Sequence, residues 1–181
     1  DRRQRQMCIR DRDRELTFDF GKVNEGTIII QVITSLDNIP STTTSYANKG
    51  ECFNETKKFL EDAQIACKKN PQMDYEFAIL YNDIHVGSIS LNLFDNEKAE
   101  IGWILNKRYH HLGIATEAAF GIINYAKELN LKTLIAHCDT RNVPSYTLME
   151  KIGMKRVGEG VRVYRDERGI AKEYLYELSL E

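Results

Sequence analysis

Long apolar runs are missing from this chain: no stretch approaches the roughly 20 residues a helix needs to cross a bilayer, and no secretory signal is visible. Cysteine is scarce and scattered. Cys8, Cys52, Cys67 and Cys138 form no Cys-x-x-Cys pair, which argues against a metal knuckle or a disulfide scaffold and points to a reducing compartment, the cytoplasm. No charge of one sign dominates, since 25 Lys and Arg stand against 27 Asp and Glu for a net charge of −2. A general nucleic-acid surface and a membrane-binding surface are therefore not expected. Neither an internal repeat nor a second domain is apparent. What is present, 181 residues with 42% hydrophobic and 29% charged, suits one domain with a core large enough to fold alone.

The chain divides unevenly. Residues 1–14 hold six arginines and three aspartates without apolar periodicity, and they are expected to lie outside the fold, leaving 15–181 as the single domain. Met7-Cys8-Ile9-Arg10-Asp11-Arg12 is similar to the translated end of a sequencing-library transposon, so the segment is set aside as one sets aside a tag; a basic arm for an acidic partner is the rival reading. Thr27 to Ile33 reads as the first buried strand, and Asp37 to Gly50, rich in Ser, Thr and Asn, as a loop with room for one short helix. Asn54 to Lys69 reads as a helix burying Phe59, Leu60, Ala63, Ala66 and Cys67.

From Asp74 onward the pattern is clearer. Asp74–Tyr81 and Ile84–Phe94 are two strands turning at Asn82-Asp83, and Ala99–Asn106 follows as a third. A long helix runs from Gly113 to near Asn130, and Leu131–Asp139 is the next strand. The length of this connection implies a right-handed crossover that sets the strands on either side of the helix parallel. Asn142 can cap a short helix that tolerates Pro144 in its first turn and stops at Gly153. Lys155–Tyr164 and Ala171–Leu180 complete the chain as a hairpin around Asp166 to Gly169.

The most informative stretch is Glu100 to Ala119. Ile101, Trp103 and Leu105 alternate as in a half-buried strand, whereas Ala115, Ala118, Ala119, Ile122 and Ala126 recur at helical spacing. A polar loop ending in Gly113 joins the two patterns. The first-turn amides of a helix lack carbonyl partners and sit at the positive end of its dipole, so this junction is an anion site suited to phosphate. No Gly-Lys-Ser/Thr follows, as a P-loop needs, and the three glycines of a dinucleotide fingerprint are missing. Some other phosphate-bearing ligand is required.

Ala99-Glu100-Ile101-Gly102-Trp103-Ile104-Leu105-Asn106, with Tyr109-His110-His111-Leu112-Gly113-Ile114-Ala115-Thr116-Glu117-Ala118, resembles motif A of the GCN5-related N-acetyltransferase (GNAT) superfamily, most of all its ribosomal-protein-alanine N-acetyltransferase branch. A second, ordered match is Cys138-Asp139-Thr140-Arg141-Asn142-Val143-Pro144-Ser145 with Met149-Glu150-Lys151-Ile152-Gly153-Met154, similar to the family's Asn-x-x-Ser and Glu-Lys-x-Gly-Phe segment. The resemblance implies an α/β GNAT fold: a mixed, mostly antiparallel sheet of about six to seven strands flanked by helices, with a parallel pair splayed at the cofactor site. It implies acetyl-CoA as cosubstrate and transfer to a primary amine, with a protein N-terminus favoured. A polyamine, amino sugar or antibiotic is equally compatible with the residues, and a non-catalytic acyl-CoA-binding module is the alternative from another class. Homodimers are common in the superfamily, but no pairing surface can be recognised in this sequence.

The site residues implied fall in two groups. Trp103, Ile104, Leu105, His110, His111, Leu112, Gly113, Ile114, Ala115, Thr116 and Asn142 would meet the cofactor, with His110 where the motif usually has Gln or Arg. Glu100 is the candidate base, beside Gly102 on the strand face opposite Ile101 and Trp103; an exposed strand carboxylate is its plainer reading. Ser145 is the candidate acid for the leaving thiolate, or else a first-turn serine bonding backbone. Many GNAT enzymes use a tyrosine seven residues after the motif asparagine, and Met149 stands there instead. No metal is expected, because His85 and His137 lie on separate strands without cysteine partners at ligand spacing.

Overall fold

The computed structural model describes residues 71–82, 84–163 and 169–181, the backbone of 6–10, 15–19 and 28–32, and positions 62 and 65. Asp74 to Tyr81 (β4) alternates Tyr75, Phe77 and Ile79 toward one side, and Ile84 to Leu93 (β5) returns antiparallel to it beyond Asn82, whose φ of 50° suits the turn expected there. Lys98 to Leu105 (β6) adds the next antiparallel strand. The turn between β5 and β6 is closed by Asp95, whose Oδ1 accepts from the Glu97 and Lys98 amides at 2.7 and 2.8 Å; these bonds hold its carboxyl below the ordinary value.

Ile114 to Glu128 (α1) crosses back over this meander and delivers Thr133 to Asp139 (β7) parallel to β6. Val143 to Lys151 (α2) then leads into Lys155 to Val163 (β8) and Ile170 to Ser179 (β9), with β9 inserted antiparallel between β7 and β8. These six strands form the mixed sheet expected. Gln6 to Arg10 (β1), Glu15 to Asp19 (β2) and Ile28 to Val32 (β3) extend it beyond β4, giving nine strands in the order β2-β1-β3-β4-β5-β6-β7-β9-β8.

β1 departs from the sequence expectation, since segment 1–14 contributes a strand that pairs antiparallel with β2 and parallel with β3. A ladder is made by backbone groups that every residue but proline carries in full, so a short apolar centre at Met7-Cys8-Ile9 suffices between arginines. The expected loop over 37–50 and helix over 54–69 lie outside the described residues, apart from Asp62 and Ile65, both helical and exposed.

The core lies between α1, α2 and one face of the sheet. Phe77, Ile79, Ile89, Leu91 and Ile101 line that face at 2% exposure or less, and Ala118, Ala119, Ile122 and Ala126 of α1 are fully buried against it. Small helix residues let the backbone come close to the strands. Tyr125 fills the space that remains, meeting Phe77 edge-on at 5.6 Å and Tyr75 at 5.7 Å between ring centres. α2 is fastened by the Tyr176 hydroxyl, which donates to Glu150 Oε1 at 2.8 Å; burial and that carboxylate push the phenol up to about 12. Phe77→Ala should therefore lower unfolding free energy by about 3–5 kcal/mol in a denaturant titration, through the lost contacts and the cavity under Tyr125.

Candidate active site

The β6·β7 ladder is short. Only Lys98↔Thr133, Ala99↔Leu134 and Glu100↔Ile135 are paired, although β6 continues to Leu105 and β7 to Asp139. Beyond Glu100 the strands part, and one edge of β6 from Ile101 onward faces an opening rather than a neighbour. Asn142 to Lys151 and the start of α1 border that opening. A cavity of about 750 Å³ results.

The loop from Leu105 to Gly113 is shaped by backbone bonds and two left-handed residues. Asn106 donates its amide to the Val86 carbonyl at 2.8 Å and accepts from the Arg108 amide at 3.0 Å, starting a single turn over Lys107–Tyr109. The His110 ring Nε2 is 3.0 Å from the Leu105 carbonyl oxygen, which ties the loop back to the strand end. His111 (φ 63°) and Gly113 (φ 80°) then reverse the chain. No side chain caps α1 at Gly113, so the first-turn amides of Ile114, Ala115 and Thr116 are left for a ligand; the Glu117 amide is the first to bond back, to the Gly113 carbonyl at 3.0 Å.

Most of the residues expected at the cofactor meet in this cavity. Trp103, Ile104 and Leu105 come from β6, His110, His111 and Gly113 from the loop, Ile114, Ala115 and Thr116 from α1, and Asn142 from the cap of α2. Leu112 does not line it and is 37% exposed. Ser145 does line it. Its amide reaches Asn142 Oδ1 at 3.4 Å and its hydroxyl bonds to the Cys138 thiol, which burial, Asp139 and Glu173 push up and this bond partly offsets. Glu100 is not brought to the cavity: it stands half-buried on the last paired rung of β6, at the vertex of the opening. Met149 is 1% exposed in the core, out of reach of a leaving group.

Several participants escaped the sequence reading. Pro144, Thr147, Leu148 and Lys151 line the cavity from one stripe of α2, with a spacing of three or four that could have been read once Ser145 was chosen. Lys151 is the only Lys or Arg among the lining residues. Gly87 was also missed. A Cβ on it would collide with the Ile104 carbonyl and come within 3.1 Å of the Leu105 Cα, so glycine lets β5 press against the part of β6 that borders the cavity. No group of three His, Cys, Asp or Glu side chains converges as a metal site among the described residues. Among them, too, no helix is long and apolar enough to cross a membrane.

Residues 32–155 match the family model described as an acetyltransferase (GNAT) domain. The chain belongs to the GNAT acetyltransferase family. An uncharacterized N-acetyltransferase of Bacillus subtilis, YnaD, is 41% identical over 103 residues, covering 54% of this chain and 61% of the relative. The match thus spans about three fifths of that relative's length. Among solved structures, the ribosomal-protein-S5-alanine acetyltransferase from Vibrio fischeri shares the fold at TM-score 0.70 and 18% identity, over 84% of this chain and 92% of that one. The microcin C7 self-immunity acetyltransferase MccE, solved with acetyl-CoA and AMP, shares it at TM-score 0.64 and 20% identity, over 71% and 72%. The parted β6 and β7 are where the family resemblance implied a splayed parallel pair.

On the sheet face turned away from α1, Glu76 is held in an unusual state. Burial, helped by the nearby charge of Asp74, raises its carboxyl from 4.5 to about 7. Between those values the native state keeps a proton that the unfolded chain has released. This contribution to stability is complete below pH 4.5 and is lost as pH rises through 7. Thermal unfolding across pH 4 to 8 should show the parent losing up to about 3 kcal/mol relative to Glu76→Gln over that window.

Proposed function

We propose that this GNAT domain transfers an acetyl group from acetyl-CoA to a primary amine. The observation that carries the reading is the uncapped N-terminus of α1 opening into a cavity whose other walls are the unpaired edge of β6 and the start of α2. The residues fit the cosubstrate. Free first-turn amides and the helix dipole suit a pyrophosphate, Lys151 adds a cation at the rim, and Trp103, Ile104, Leu105 and Leu148 supply an apolar wall for an extended arm. Acetyl-CoA, when bound, supplies the acyl group already activated as a thioester.

The chain's own groups then have separable tasks. The amides of Ile114, Ala115 and Thr116 hold phosphate oxygens, and Asn142 orients the arm while capping α2. Ser145 presents its hydroxyl at the cavity wall, where its proton can serve the departing sulfur directly or through water. Glu100, read from the sequence as the base, stands at the vertex of the opening, where the acceptor's nitrogen would arrive beside its carboxylate. A protein N-terminus is the acceptor favoured by the motif resemblance to the ribosomal-protein branch; a polyamine, amino sugar or antibiotic is the alternative acceptor. The cytoplasm is the compartment in which both amine and cosubstrate would be met.

Calorimetric titration with acetyl-CoA should give saturable one-site binding that Ala115→Trp, which places an indole over the first-turn amides, abolishes without loss of its folded circular dichroism. Ser145→Ala should bind with an unchanged Kd yet release CoA at least tenfold more slowly when amine is added. Absence of binding to the folded parent at millimolar acetyl-CoA would overturn the reading. Binding without CoA release for any amine would favour the acyl-CoA-binding module.

A further inference from the structure

The transfer reading leaves unused a row of polar groups on the sheet face opposite α1. With Tyr75, Phe77, Ile89, Leu91 and Ile101 committed to the core, strand alternation turns Asp74 and Glu76 of β4, Ser90 and Asn92 of β5, and Glu100 and Gly102 of β6 the other way. Register aligns them. Glu76 pairs with Ser90 and Ser90 with Gly102, while Asp74 pairs with Asn92 and Asn92 with Glu100. Asn92 Nδ2 donates to Asp74 Oδ1 at 3.3 Å, which fixes the outer end of the row.

The inner end reaches the opening. Gly102 is the second residue past the last β6·β7 rung, and a Cβ placed on it would meet Ser90 Oγ at 3.1 Å, so the glycine leaves the path from Ser90 to the parted strands clear. A group entering between β6 and β7 from the side opposite α1 would meet Gly102 first, Ser90 next and Glu76 beyond it. The described titratable and charged groups that alternation turns to this face on β4 to β7 are Asp74 beside Glu76, His85, Lys98 and Glu100, and His137 and Asp139; β9 adds Glu173, with Oε1 3.3 Å from His137 Nδ1, and Glu177, with Oε2 3.7 Å from Lys98 Nζ. Besides His85, which pairs with Leu80, β5 contributes the uncharged Ser88, Ser90 and Asn92. No Lys or Arg of the described residues is paired with Glu76.

We propose that the face opposite α1 receives the acceptor as a primary alkylammonium ion and that the Glu76 carboxylate takes its proton, through a water bridged by Ser90. Glu100 at the vertex holds the cation in place, and the proton passes to Glu76. The inference rests on the transfer reading and adds the base and the charge state of the acceptor. The accounting is complete without another reactant. R–NH3⁺ gives one proton to Glu76, and the neutral nitrogen forms the C–N bond as the C–S bond breaks; the sulfur takes a proton from the Ser145 side, the second proton shed by the nitrogen as the amide forms replaces it through water, and Glu76 returns its own proton to solvent. Glu76, titrating near 7, is ionised often enough at neutral pH to accept the proton, and basic enough to hold it.

The test measures CoA release from acetyl-CoA between pH 5.5 and 9.5, with spermidine and a hexapeptide bearing a free N-terminal alanine as probe amines. Parent, Glu76→Gln, Glu76→Asp and Glu100→Gln are compared, each first shown to be folded and to bind acetyl-CoA with the parent's Kd. Glu76→Gln should lose at least tenfold in kcat/KM at pH 7.5 and lose the limb near pH 7 from the profile. Glu76→Asp should recover part of the rate, and Glu100→Gln should raise KM while keeping the limb. A Glu76→Gln protein with the parent's rate and limb overturns the inference and leaves the transfer reading standing. A parent that binds acetyl-CoA yet releases no CoA with either amine overturns both.

Discussion

The arrangement depends on two parallel strands that separate after three rungs. β6 and β7 leave a common origin at Lys98 and Thr133 and part beyond Glu100 and Ile135, each held on its outer edge, β6 by β5 through seven pairs and β7 by β9 through seven. An unpaired strand edge inside a protein leaves backbone donors and acceptors without partners, a cost that an extended ligand arm lying along it would relieve. The parting leaves a cavity between the strands, open to the start of both helices.

The rest of the fold serves that opening. α1 begins where β6 ends, so its unbonded amides are carried to the mouth of the gap by the same short loop that His110 ties to Leu105. α2 begins where β7 ends, so Asn142 and Ser145 arrive at the opposite bank. Each helix is locked behind the site by aromatic groups: Tyr125 wedged between Tyr75 and Phe77, and Tyr176 bonded to Glu150. These locks lie in the core, where a displaced helix would open a cavity, and the site at the helix starts inherits their rigidity.

The two faces of the sheet divide the chemistry. The side toward α1 is apolar and carries the cavity, whereas the side away from it presents carboxylates and hydroxyls along Asp74, Glu76, Ser90, Asn92 and Glu100. Burial beside Asp74 is what moves Glu76 toward neutrality.

Much of this was legible in the residues themselves. The alternation of Ile101, Trp103 and Leu105, the glycine before a small-residue helix and the ordered Asn142 and Ser145 specify local conformation, because strand period, helix period and capping are properties of a few neighbours in the chain. They placed the hairpin, both helices and most of the cavity lining. The strand inside the charge-rich first segment was not legible, since a ladder depends on partners distant in sequence. Gly87 looked like any strand glycine until Ile104 was brought against it, and Lys151 like any helix cation until α2 turned it to the cavity. Glu76 shows the division most plainly. Its identity is local, but burial and the charge of its neighbours set the free energy of its proton, and only the assembled sheet decides those.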